Sequence, residues 1–345
     1  MSGTTGTVLV LGASGLFGGH AAQAFQAAGW TVRRYQRGSD MAAAAEGADV
    51  IVNGLSPPRY HDWARQIPAI TAQVIAAARA SGATVIVPGN VYVYGTQPTP
   101  WGPNTLQRPT SRKGRIRVKM EAAYAKAAAE GVQVIILRGG DFLAAGDPRT
   151  LFDMVILKQL ARGRITAMGN PGAEHAYAYL PDMARAAERL ASVRAQLPRY
   201  NDIPFAGLTF SIDDLKREIE RQTGRRLTVK QFDWWVMRLA SPVWELAKEL
   251  GEMRYLSDHP HSLTPEPLKK LLPDFAATSF ADVVTAHLVA LRQVKVHPDR
   301  GGRRPRQPGR PRRLIRARRR PHPGSPDRPR AARSPPATDP ARRAR

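Results

Sequence analysis

The chain has 345 residues, 52 Lys+Arg against 28 Asp+Glu, 29 prolines and no cysteine. The missing cysteine excludes disulfide scaffolds, Cys-ligated zinc and cysteine nucleophiles together, and no apolar run approaches the roughly 18 residues of a membrane-spanning helix. Charge is unevenly placed: residues 297–345 contain 17 Arg, 3 Asp and 11 Pro and carry +14 of the formal +24, whereas the first 296 residues hold 35 Lys+Arg and 25 Asp+Glu.

Thr7-Val8-Leu9-Val10-Leu11 is a continuous apolar run rich in β-branched residues, the pattern of a strand buried on both faces of a parallel sheet. It is too short, and lacks the preceding basic region, to be a signal peptide, so a cytoplasmic protein is expected. Gly12-Ala13-Ser14-Gly15-Leu16-Phe17-Gly18-Gly19 follows, then Phe17, Ala21, Ala24, Phe25 and Ala28 at helical spacing, and Trp30-Thr31-Val32 begins a second strand. Glycines between a buried strand and a helix allow a tight turn, close approach of backbone to a pyrophosphate, and phosphate binding at the helix N-terminus. Gly12, Ser14, Gly15, Leu16, Phe17 and Gly18 are therefore the expected dinucleotide-binding segment.

The Gly-x-x-Gly-x-x-Gly spacing in this strand-turn-helix-strand context resembles the short-chain dehydrogenase/reductase superfamily, in its extended and atypical branch of NAD-dependent epimerase/dehydratase-like proteins. The resemblance covers about residues 7–200. It implies a doubly wound α/β Rossmann fold and hydride transfer to or from a small carbonyl, hydroxyl or sugar-nucleotide-like substrate.

The second strand runs into Arg33-Arg34-Tyr35-Gln36-Arg37 with no carboxylate near its end. A carboxylate there suits the ribose 2′-hydroxyl of NAD, and arginine the 2′-phosphate of NADP, so NADP is the expected cofactor through Arg33 and Arg37, with NAD as the alternative. Only eleven residues separate Arg37 from the next apolar strand, Asp49 to Asn53, where the family places a helix, a strand and another helix. One strand-helix unit is expected to be missing, and Gly54, Leu55 and Ser56 are by position the candidates for completing the adenine pocket, with Asn53 and Gly54 expected among the cofactor-binding residues.

Ile67 to Arg79 reads as a helix and Ala83 to Pro88 as a strand that enters Gly89-Asn90-Val91-Tyr92-Val93-Tyr94-Gly95. This resembles the family's Ser-Ser-x-x-Val-Tyr-Gly, with Asn90 where the catalytic Ser/Thr stands. The family's Tyr-x-x-x-Lys then maps onto Arg112 to Glu121, with Arg115 at the tyrosine and Lys119 at the lysine, which the resemblance implies also binds the cofactor by holding the nicotinamide ribose. Arginine, with a pKa above about 12, is no proton shuttle near neutrality. Three accounts stay open: another phenol supplies the proton, Tyr92 or Tyr94, of which Tyr94 matches the family's Val-Tyr-Gly tyrosine and is expected to be structural; Lys119 or a water does; or the protein binds dinucleotide without turnover as a sensor.

Val132 to Phe142 reads as a further buried strand ending in a glycine turn with Asp141 as its titratable group. His175 to Asp182 alternates at period two and then starts a helix near Asp182, and His175 is the histidine with an acid/base role to test. A helix near Phe210, a strand at Gly224 to Val229 and an aromatic stretch from Phe232 to Leu246 suggest a small substrate lobe. That stretch suits a lid, a homodimer surface or packing within the lobe. The last is expected, because Asp233 and Glu245 argue against a membrane surface.

The expected organisation is a Rossmann domain at 1–205, a substrate-binding lobe at 206–296 and a disordered Arg/Pro-rich tail at 297–345. With Leu314 and Ile315 almost its only large apolar residues, the tail cannot offset the entropy of ordering by burial. Its arginines suit sequence-blind phosphate contact, but it has no Phe, Trp or Tyr to stack on bases, so no specific nucleic-acid partner is expected. Arg, Pro, Ala and Gly dominance is also what a GC-rich gene read in a shifted frame yields.

Overall fold

The computed structural model describes residues 6–57 and 61–296, so the tail at 297–345 lies outside the described residues. The opening apolar run forms β1 (Thr7–Leu11), and α1 (Leu16–Ala27) turns Phe17, Ala21, Ala22 and Phe25 onto the sheet. β2 (Thr31–Arg34) and β3 (Val50–Asn53) both pair parallel with β1, on opposite sides of it. Only the five-residue α2 (Met41–Ala45), capped by the Asp40 side chain, separates them. The shortened connection expected from the sequence is thus present, and it leaves β2 at the sheet edge.

The alternation continues through α3 (Trp63–Ser81), β4 (Thr84–Gly89), α4 (Arg112–Ala129) and β5 (Val134–Arg138). β6 (Asp141–Leu143), β7 (Arg164–Ala167), β8 (His175–Tyr179) and α5 (Leu180–Ser192) precede β9 (Tyr200–Pro204), which returns to the main sheet beside β5. The main sheet has the order β2-β1-β3-β4-β5-β9, with every pairing parallel. Successive side chains alternate between its faces. Val8, Val10, Val52, Ile135 and Leu137 pack with α1 and α5, while Leu9, Leu11, Ile51, Val85 and Ile136 pack with α3 and α4.

The remaining strands are β10 (Leu208–Phe210) and β11 (Thr228–Gln231), the second following α6 (Ile212–Thr223). They build a three-stranded sheet β10-β8-β6 and a parallel pair β11-β7. The boundary expected at residue 205 falls between β9 and β10, and both small sheets take strands from either side of it. α5 begins at Leu180 with Tyr179 as its N-cap, so Asp182 lies within the first turn. There its buried carboxylate accepts from the Thr278 backbone N–H (2.6 Å) and hydroxyl (2.9 Å), tying α5 to the segment before α11.

The aromatic stretch differs from its expected packing. α7 (Trp234–Ala240) and α8 (Glu245–Glu252) are separate helices, followed by α9 (Arg254–Asp258), α10 (Glu266–Leu271) and α11 (Phe280–Val296). Pro242 interrupts the run, as proline does by removing a backbone donor, so no single amphipathic face forms. Trp234 is anchored by its indole N–H on the Met168 carbonyl, but Trp235, Leu239 and Val243 are 66%, 71% and 91% exposed.

One buried ion cluster joins the carboxyl ends of the central strands. Arg138, at the end of β5 and 0% exposed, donates from Nη1 to the Asn90 carbonyl (2.6 Å) and Glu121 Oε1 (3.0 Å). Its Nη2 donates to Glu121 Oε2 (2.8 Å) and Asp202 Oδ2 (2.7 Å), and Nε to Asp202 Oδ1 (3.1 Å). All five N–H groups of the guanidinium are used, and its carbon lies 5.2 Å from the Tyr94 ring centre. Removing one partner of a buried pair leaves an uncompensated charge. Glu121→Ala is expected to cost about 3–5 kcal/mol of unfolding free energy, read by urea denaturation.

Candidate functional site

Three glycines from separate elements meet where β1 and β3 end. Gly12 has φ +71°, and the Gly15 amide donates to its carbonyl at 2.8 Å, closing the turn. A Cβ on Gly18 would lie 2.3 Å from the Gly12 oxygen, one on Gly12 2.8 Å from the Gly54 oxygen, and one on Gly54 2.9 Å from the Gly18 Cα. None of the three tolerates a side chain. Their contact brings the α1 N-terminus against the ends of both strands. Gly15 caps α1 without any side-chain hydrogen bond, and no acidic residue stands in the first turn. Phe17 is buried in the core and Leu16 packs against it, so these two offer only backbone to a ligand, whereas Ser14 is exposed.

The arginines at the β2 end are differently placed. Arg33 is half-buried and donates from Nη2 to the Glu46 carbonyl at 2.7 Å, while its buried Nε has no hydrogen-bond partner among the described residues. Arg37 is exposed in the turn beyond β2. Asn53 is buried. It donates to the Tyr124 hydroxyl at 3.1 Å and accepts from the Leu55 amide at 3.2 Å, so its side chain braces the β3 turn against α4. Burial pushes the Tyr124 hydroxyl up to about 12, against the pull of that Asn53 contact.

At the end of β4 the Asn90 side chain accepts from the Tyr92 amide at 3.1 Å, capping the short turn Val91–Val93, and its carbonyl is held by Arg138. Tyr94 is buried and donates to the Gly102 carbonyl at 3.1 Å. Burial raises its pKa further from neutrality, which makes it a structural phenol. Tyr92 is half-buried between two apolar clusters.

The structure places Lys119 and Arg115 on the exposed face of α4. The other residues one turn apart, Lys113 and Arg117, lie toward the protein. Lys113 is 0% exposed and its Nζ contacts the Glu249 carboxylate, Glu252 Oε2 (2.9 Å) and the Glu249 carbonyl (3.1 Å), all on α8. Its amide donates to Glu252 Oε1 at 2.8 Å, and Arg112 pairs with Glu249 at 2.7 Å. Arg117 lies over the Trp63 ring at 5.0 Å. Gly114 is forced by the Tyr92 carbonyl, which a Cβ would approach to 2.4 Å. Lys113 escapes a sequence reading because its partners stand more than a hundred residues away. The signal that could have found the face is the recurrence of Gly114, Met120, Glu121, Tyr124 and Ala128 on the buried side.

His175 lies among aromatic rings, 5.0 Å from His261, which in turn stacks on Trp101 at 5.1 Å. Burial, then the neighbouring His259, lowers it to about 4, so the imidazole is neutral at pH 7. Asp141, opposite Tyr177 in the β6–β8 register, is an exposed residue whose carboxyl is nevertheless pushed up to about 6 by withdrawal from bulk water. Between about pH 4 and 6 the folded chain then binds more protons at Asp141 than the unfolded chain, so stability falls as pH rises through that window. Asp141→Asn is expected to melt above the parent protein at about pH 7.5 and level with it at about pH 4, as read by thermal denaturation at each pH.

No family model and no curated protein sequence matches the chain. Solved structures do. MoeE5 in complex with UDP-glucose and NAD is 17% identical with a TM-score of 0.67, covering 84% of this chain and 100% of its own. UDP-glucuronic acid 4-epimerase from Bacillus cereus, in complex with UDP-glucuronic acid and NAD, is 16% identical with a TM-score of 0.63, covering 84% and 99%. The NAD-dependent NDP-hexosamine 5,6-dehydratase TunA is 16% identical with a TM-score of 0.65, covering 84% and 98%. With its parallel sheet, its glycine turn and this likeness along most of its length, the chain has the fold of these epimerase and dehydratase structures.

Proposed function

We propose that the protein binds a nicotinamide dinucleotide across the carboxyl ends of β1, β3 and β4 and transfers hydride to or from a small carbonyl, hydroxyl or sugar-nucleotide-like substrate. The observation that carries this reading is the mutual contact of Gly12, Gly18 and Gly54, a cradle that any side chain would fill, at an α1 N-terminus left without a capping carboxylate. Solved structures of the same fold hold NAD with sugar nucleotides, which supports the cofactor class. Arg37 and Arg33 favour NADP, since arginine suits a 2′-phosphate and Arg37 stands exposed just beyond β2. A bound nicotinamide supplies the hydride. The chain's own contribution is to orient the substrate through Asn90 and to hold a proton at Tyr92 or at a lysine.

A second reading, a dinucleotide sensor without turnover, is favoured by α4 itself. The inward pair is Lys113 and Arg117, no phenol stands among the buried residues of its first two turns, and two α8 carboxylates already occupy Lys113. In either reading the protein works in the cytoplasm, as a monomer or a homodimer, without a specific nucleic-acid or membrane partner.

Fluorescence titration with NADPH and NADH tests the cofactor reading. Tighter binding of NADPH is expected, and Arg37→Ala should weaken NADPH about tenfold, roughly 1.4 kcal/mol, while leaving NADH unchanged. Absent binding of both dinucleotides would remove the reading. A screen for NADPH oxidation with carbonyl substrates then separates enzyme from sensor. Loss of turnover in Tyr92→Phe or Lys119→Ala names the proton carrier, and binding without any turnover supports the sensor.

A further inference from the structure

We propose that Arg149 is a clamp on the diphosphate bridge of the bound dinucleotide, held ready over the glycine turn by Asp147. This inference rests on the dinucleotide reading above and adds a binding residue from a distant part of the chain. The segment after β6 returns to the glycine turn. There Arg149 donates from Nη1 to the carbonyl of Ser14 at 2.8 Å, across 135 positions of sequence.

The guanidinium is oriented before any ligand arrives. Nε donates to both Asp147 oxygens (2.9 and 3.2 Å) and Nη2 to Oδ2 (2.6 Å), and the Arg149 amide donates to the same carboxylate at 2.9 Å. These contacts hold the Asp147 carboxyl below the usual carboxylate range. Three of the five N–H groups are engaged in this way, which leaves one on each Nη without a partner among the described residues. Both belong to a group already fixed beside Ser14, next to the unpaired amides at the start of α1. The pair Arg149–Asp147 thus adds directed donors at the place where the cradle leaves room for a diphosphate, and arginine's planar fork suits two phosphate oxygens better than a lysine would. Arg149 is 55% exposed in its side chain, so its removal leaves no buried charge behind. Asp147 acts through Arg149 and is a positioning residue.

Calorimetric titration of the full chain with NADPH, ADP and AMP tests this. Arg149→Gln is expected to weaken NADPH and ADP by about tenfold while shifting AMP less than about twofold, because only the first two carry a diphosphate. Asp147→Asn, which keeps the arginine but loosens its hold, is expected to weaken ADP by about threefold, and Arg149→Lys, which keeps the charge without the fork, by a similar factor. Equal ADP affinity in Arg149→Gln and the parent overturns the clamp. So does a parallel loss for ADP and AMP, which would make Arg149 only a brace between two loops. If the parent protein binds none of the three ligands, the dinucleotide reading fails before any variant is made, an outcome distinct from a parent that binds and a variant that binds equally well.

Discussion

A single buried guanidinium determines the geometry of the strand ends on which the candidate site stands. Arg138 reaches β4 through the Asn90 carbonyl, α4 through Glu121 and β9 through Asp202, while its own backbone lies in β5. Desolvating these charges is costly, and complete pairing offsets that cost. Two carboxylates on one cation still leave a local excess of negative charge. Burial, reinforced by Glu121, raises Asp202 despite the arginine, and Tyr94 and Tyr200 are raised too, chiefly by burial. The two phenols are thereby moved further from proton chemistry near neutrality, and the guanidinium with its two carboxylates serves as framework for Asn90 and Tyr92.

A second ion cluster fixes the C-terminal helices in turn. Arg112 and Lys113 at the start of α4 take the carboxylates of Glu249 and Glu252, and α8 is thereby fastened over the first turn of that helix. The same short segment carries exposed Trp235 and Leu239 a few residues earlier. Ionic attachment on α8 and an exposed apolar face on α7 thus stand on either side of Pro242.

The parts of this arrangement that were legible in the sequence are those governed by local rules. β-branched runs at Val8–Leu11, Val50–Val52, Val85–Val87 and Val134–Leu137 are buried on both faces and stand out as central strands, and the glycine turn follows directly from the first of them. The short link after Arg37 could be counted. Helix register on α4 could not be read so easily. The first eight residues include five basic side chains, which hide the inward face, and a fully buried lysine runs against the expectation that such residues face water. Lys113 depends on α8, Arg149 on Ser14, and His175 on His261, contacts between distant segments that no spacing rule encodes. The exposed face of α7 illustrates the converse limit, since apolar periodicity shows that a face exists and not whether the fold covers it.

The missing strand-helix unit has a consequence beyond the cofactor pocket. It makes β2 a terminal strand of the six-stranded parallel sheet, the position from which a strand can pair with another chain. Two adjacent arginines, Arg33 and Arg34, lie on that strand, and charge on an edge discourages intermolecular pairing through repulsion and hydration. Arg33, proposed to take part in the choice between two dinucleotides, thus shares with Arg34 a second task, keeping the sheet edge charged. Replacing both with neutral β-formers would open a route to self-association along the sheet, and the loss of Arg33 would change cofactor preference as well.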